Sequence, residues 1–419
     1  MARAENINPG ILAWARETAG LSLEDAASRI GIHASAELSA AEKLEALERG
    51  QKFPTRNQLA KIATVYRRPL ITFYLREPPP RASRGEDFRT LPFDVPPREN
   101  AKLDALLRDV RARQEMVKSL LEDDDEAERP DFVASVNMES GVQFVVERIA
   151  AKLNFSLGVG ARRNGTPDDL FKELRNSAER VGVFVLLIGD LGSHHHTISE
   201  RVFRGFAIAD PIAPFVVIND QDARAARSFT LIHELAHIWL GQTGISGTVE
   251  EYQTATREGR VEQFCNDVAG KFLLPDHAFA AGPDFDPGDA ARAAQAIARL
   301  AEIWRVSEPM VAYRMNRLRW ISGSVYRGLA AQYAARWQAQ RARIREEARE
   351  NEGGPNYYAV KHFKVGNALV GLIQRSVRDN QLSHTKAAKV LGVGPGAVEP
   401  LLRRYESAKG AIVPGIGRG

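Results

Sequence analysis

The sequence predicts an α+β protein, mostly helical and divided into several domains. Three observations predict this class. Stretches toward both ends of the 419-residue chain repeat apolar residues at helical spacing. Short apolar runs of strand type cluster in the middle, at residues 183–188, 203–210 and 214–219. Glu77-Pro78-Pro79-Pro80 separates the first helical stretch from the rest, because consecutive prolines cannot continue a helix.

From Asn8 to Arg76 the pattern is a helical bundle of five helices, opened by Pro9-Gly10-Ile11-Leu12. Ser22 is the expected N-cap of its second helix, one ends near Gly50, and another begins at Pro54-Thr55. Residues 1–77 therefore form the first domain, and 78–134 a linker with a helical segment over 100–121. The acidic run 122–128 reads as a solvated loop. A third domain spans 135–281, with helices over 142–153 and 167–181 and the small sheet described above. Within it, His194-His195-His196 occupies a turn; adjacent residues do not converge on one ion, so a polar loop is the simpler reading. Residues 282–354 are a helical extension, with helices over 289–304, 308–320 and 326–352. The last unit, 355–419, is a small helical domain with a flexible tail from Pro414. Residues 383–393 in it read as helix, turn and helix: either a second DNA-binding unit or a helical interaction domain.

The chemistry lies in Thr230-Leu231-Ile232-His233-Glu234-Leu235-Ala236-His237. On a helix, His233 and His237 sit one turn apart on one face, close enough to share a metal ion. Glu234 between them is placed to deprotonate a water, and this H-E-x-x-H spacing is the signature of zinc hydrolases. Catalytic zinc takes three protein ligands and leaves a position open. A second helix, closed by Pro275, offers Glu262 as the third ligand. Asn266, one turn later, is placed to hydrogen-bond a ligating histidine. Taken alone, that helix is an ordinary amphipathic one with a solvated glutamate; beside the histidine pair, the ligand reading is preferred. Histidine and carboxylate ligands also admit manganese or iron. The strand pair before the motif either holds an extended peptide by backbone pairing or is plain core. Tyr252 and His194 to His196 are the candidates for stabilising a transition-state oxyanion.

Composition is that of an intracellular regulator. One cysteine excludes a disulfide framework, and neither a signal peptide nor a membrane-spanning run is evident, so a cytoplasmic location is expected. A net charge of +4 over this length does not by itself announce nucleic acid.

The run from Arg204-Gly205-Phe206 through Phe229-Thr230 to the histidine motif resembles the ImmA/IrrE family of bacterial metallopeptidases. Glu262, Asn266 and Leu273-Leu274-Pro275 continue the pattern; Cys265 departs from it, where the family usually has alanine. The resemblance implies a zincin-like peptidase domain with zinc on His233, His237 and Glu262, Glu234 as general base, and a helix-turn-helix repressor as substrate. The N-terminal bundle resembles the XRE-type helix-turn-helix, whose recognition helix falls here between Ser35 and Arg49. That stretch carries Glu37, Glu42, Glu45 and Glu48 against Lys43 and Arg49, an acidic face that opposes phosphate contacts and leaves DNA binding open. Residues 87–92, Asn356-Tyr357-Tyr358 and Leu391-Gly392-Val393 resemble segments of longer fused XRE–ImmA/IrrE proteins. Such proteins look like antitoxins paired with a ribonuclease toxin, commonly of the PIN-domain type. Two readings follow: an endopeptidase that cleaves a regulatory protein such as a repressor, or an antitoxin and regulator that uses the peptidase fold as a scaffold against its toxin. Self-association as a homodimer and self-cleavage within 77–128 stay open.

Overall fold

The computed structural model describes residues 3–79, 86–87, 97–123, 129–157, 165–191, 197–246, 256–350 and 356–410. The histidine triplet 194–196, Tyr252, the tail from Pro414, residues 80–85 and 88–96 of the linker and 124–128 of the acidic run lie outside the described residues. The chain divides into two compact units: residues 1–84 with 91–111 and 193–198, and residues 85–90 with 112–192 and 199–419.

The first unit begins with four helices, α1 (Pro9–Thr18), α2 (Leu23–Ile30), α3 (Ala40–Glu48) and α4 (Arg56–Tyr66), followed by a 3-10 turn at Leu70–Tyr74 as the fifth helical segment. Each start has a local cause. Asn8 caps α1, Ser22 caps α2, and Ser39 and Thr55 form reciprocal capping boxes with Glu42 and Gln58. The Ser39 box sets the start of α3 within the expected 35–49 stretch: residues 35–39 are not helical, and nine residues (31–39) separate α2 from α3. Ile11, Leu12, Ala27, Leu44, Ile62 and Tyr66 fill the core of this unit.

The second unit combines a sheet with helices. After α5 (Pro97–Glu122) come α6 (Val142–Leu153) and α7 (Pro167–Arg180), then α8 (Arg227–Trp239) and α9 (Arg257–Leu273). The strands are β1 (Glu86–Asp87), β2 (Phe184–Leu187), β3 (Gly205–Ile208), β4 (Phe215–Ile218) and β5 (Gly244–Ser246), in the order β1-β5-β3-β4-β2. β3 runs antiparallel to both β4 and β5, whereas β2 is parallel to β4 and β1 to β5. Expected as strands, β3 and β4 are interior and completely buried. Their backbone groups are used on both sides, so neither offers a free edge to a peptide; they are core strands. The other neighbour of β3 is β5, whose outer side is taken by the edge strand β1, Glu86–Asp87.

One core joins the sheet to α6, α7, α8, α9 and the helices after them, α10 (Ala290–Trp304), α11 (Glu308–Arg317) and α12 (Gly323–Glu350). The chain closes with α13 (Tyr357–Val365), α14 (Asn367–Arg378), α15 (His384–Leu391) and α16 (Val398–Gly410). The buried pair Arg175–Glu179 anchors these last helices. Arg175 reaches the carbonyls of Phe363 and Val185, and Glu179 accepts the backbone N–H groups of Asn367 and Ala368 at 2.9 and 3.2 Å.

Candidate metal centre

α8 is apolar on nearly every face, and from Thr230 to Trp239 it is buried throughout. A helix hydrophobic all round belongs inside a protein, and two imidazoles and a carboxylate go in with this one. Burying such groups is costly unless they are paired or ligate a metal. α9 packs across α8 and supplies Glu262 from its inner face, where Val261, Cys265 and Val268 are also buried. α11 fixes the far end of α9: Arg314 donates to the Leu274 carbonyl and to Asp276, while Tyr313 and Arg317 hold Asp267 at 2.8 and 2.6 Å.

Three predicted residues meet. His233, His237 and Glu262 each present a ligand atom, and those atoms lie within 4.8 Å of one another. His233 Nε2 and His237 Nε2 are 3.1 Å apart. Glu262 Oε1 is 2.9 Å from His237 Nε2, and Oε2 is 3.3 Å from His233 Nε2. Tetrahedral zinc, with such ligands at about 2.0–2.1 Å, separates them by about 3.3 Å. The donor set and its spacing therefore fit a divalent cation, because two imidazole nitrogens and a carboxylate facing one another in a dry site otherwise repel or compete for one proton.

Charge agrees. Burial works to raise Glu262, but the facing His233 and His237 prevail and hold it down at about 2. Burial likewise works to lower His233, and the Glu262 charge overrides it and raises that imidazole. Glu234 differs: burial pushes its carboxyl up to about 8 against the pull of His233, with Glu262 adding to the rise. Neither Glu234 oxygen has a protein hydrogen-bond partner. An unpartnered buried carboxylate calls for a ligand or water. Gly205 leaves room for it, since a Cβ there would fall 2.5 Å from Glu234 Oε1.

Asn266 is buried against His233 and favours its charged form, yet Asn266 Nδ2 and His233 Nδ1 have no hydrogen-bond partner. Ser246, not singled out by sequence reasoning, stands closer to the ligands, with its hydroxyl 3.1 Å from His233 Nε2 and 3.5 Å from His237 Nε2. Arg204, Phe229 and Thr230 join Ser246 and Asn266 around a small cleft that His233 and Glu234 also line. β5 is three residues long and shows no periodicity, so its one clue was the β-branched Ile245 between Gly244 and Ser246.

Residues 178–316 match the Peptidase_M78 family, the IrrE N-terminal-like domain. The middle of the chain is thus similar to an ImmA/IrrE-type metallopeptidase domain, and the matched segment runs from the end of α7 to α11 and contains the whole ligand set. The family is one of zinc metallopeptidases, so the IrrE-like domain and its donor chemistry agree on a metal centre. No curated protein and no solved structure matches the chain. Among the described residues no helix is long and apolar enough to cross a membrane.

Proposed function

We propose that this protein is a zinc-dependent endopeptidase that cleaves a regulatory protein such as a repressor, fused to an N-terminal module of XRE type. The convergence of His233, His237 and Glu262 beside the unpartnered Glu234 carries the reading. Zinc held by those three residues supplies Lewis-acid chemistry, acidifying water and polarising a peptide carbonyl. Glu234 takes the proton from the attacking water and returns it to the departing amine, a general-base and then general-acid role. Asn266 and Ser246 line the site beside the imidazoles, Asn266 from α9 and Ser246 from β5. Arg204, which also lines the cleft, stands 3.7 Å from the Asp222 carboxylate and is the cation nearest to hand for a substrate carbonyl or carboxylate.

The edge of β5 supports the substrate class. Glu86–Asp87 already pairs there in extended form, so a substrate backbone would take this rim by displacing it.

The wild type and Glu234→Gln are purified, assayed for bound metal, and incubated with the product of the adjacent gene. Both are expected to hold zinc and only the wild type to cleave. Stable complexes with both proteins and no cleavage would instead establish a binding protein, as in the antitoxin reading; absence of metal from both would end the metal-centre reading.

A further inference from the structure

The surface that binds DNA is sought most naturally in the N-terminal bundle, but the physical signs are stronger at the other end of the chain. α14, α15 and α16 pack around Val370, Ile373, Ala387, Leu391, Val398 and Leu401, all buried. Ser383 caps α15, and Gly392 closes it in the left-handed region at φ 63°. A Cβ at Gly392 would fall 2.5 Å from the mobile end of the Arg113 side chain, so it is the left-handed φ that calls for glycine at this turn. Only Gly392, Val393 and Gly394 separate α15 from the 3-10 turn Pro395–Ala397, which runs straight into α16. Two helices joined by a short, glycine-containing turn form the DNA-reading unit in which the second helix enters the major groove. α2 and α3, with nine intervening residues, depart from that spacing.

Charge separates the two units further. Residues 367–410 carry seven lysines and arginines against three acidic residues, whereas residues 9–66 carry seven against seven. The basic groups are displayed: His384, Lys386 and Lys389 on α15, and Arg403 and Arg404 on α16, are exposed. Arg403, 71% exposed, has Glu399 one turn earlier at 3.3 Å as an acidic neighbour. Glu399 and Arg403 share the outer stripe of α16 and match, respectively, a cytosine amino group and a guanine edge.

We infer that α15, its turn and α16 form a helix-turn-helix that binds duplex DNA, with α16 as the groove-reading helix and Lys386, Lys389, Arg403 and Arg404 on phosphates and bases. The inference does not depend on whether the metal centre turns over. Because Arg175 and Glu179 clamp residues 363–368 to the sheet domain, this unit fixes the metallopeptidase domain to the DNA it binds.

The test uses the full-length protein and a fluorescently labelled mixed-sequence duplex, read by anisotropy across a salt series. Arg403→Glu with Arg404→Glu is expected to weaken binding by roughly tenfold or more and to lower the salt slope by about two. Arg403→Gln with Arg404→Gln gives a smaller loss in the same direction and covers the event that the double reversal misfolds. Lys43→Glu with Arg49→Glu, on α3, is expected to leave binding unchanged. Binding unchanged in both α16 variants, loss confined to the α3 variant, or no duplex binding by the wild type would each overturn the inference; capture of an acidic protein in place of DNA belongs with the last.

Discussion

Two helix pairs in this protein handle polar residues in opposite ways. α8 and α9 turn theirs inward, so that His233, Glu234, His237 and Glu262 are all buried and three of them converge. α15 and α16 keep an apolar interior and turn theirs outward, where Lys386, Lys389, Arg403 and Arg404 meet solvent. A buried set has few explanations other than a metal or tight pairing. An outward set is explained by a partner or by plain solvation, so its meaning depends on turn geometry and on the sign of the charge around it.

Substitutions can break that contrast or sharpen it. Glu262→Ala should have the largest effect, removing the inward site while leaving the outward one: zinc affinity should fall by more than about a hundredfold, because outer-sphere changes alone cost 10–100-fold. Atomic spectroscopy on the purified variant checks it, and retained stoichiometric zinc would exclude Glu262 as a ligand. Glu179→Gln should act on the other side of the comparison. It leaves Arg175 buried without its carboxylate, which costs about 3–5 kcal/mol, and the loss should appear in urea unfolding with hydrogen exchange rising first in α13 and α14. Gly205→Ala should cost about 1–3 kcal/mol through the crowding of Glu234; a melting scan reads the loss, and peptide hydrolysis should fall while zinc stays bound.

Asp276→Asn should do least. Burial works to raise Asp276, but Lys271 and Arg314 prevail and lower it. A depressed carboxylate contributes stability above its ordinary range and loses it as pH falls through the folded value. The carboxylate is more than half exposed, so screening holds the effect to less than about 1 kcal/mol. Wild type and variant should therefore differ slightly near neutral pH and converge in acid, as comparative melting curves would show.

The inward site was largely legible in the sequence, for a physical reason. Histidines four apart on an apolar helix and a glutamate on a second amphipathic helix leave periodic traces, and the chain does place those three side chains together. Helix starts were legible where a side chain makes the cap, as at Ser22 and Ser383. β5 and β1 escaped because two or three residues hold no period, and Ser246 escaped with β5. α3, Ala40–Glu48, falls within the expected 35–49 stretch, and the reciprocal Ser39–Glu42 bonds set its start. The role of β3 and β4 was not legible either: alternation and apolarity reveal a strand but not which neighbours take its two edges.

The pairing of Glu86–Asp87 with Gly244–Ile245 carries a kinetic consequence. A segment of the same chain already occupies the rim of the strand that carries Ser246. Any incoming peptide that uses this edge competes with a tethered rival, whose effective concentration is set by its tether and not by how much protein is present. Dilution cannot relieve such competition, whereas cutting or displacing the tether can.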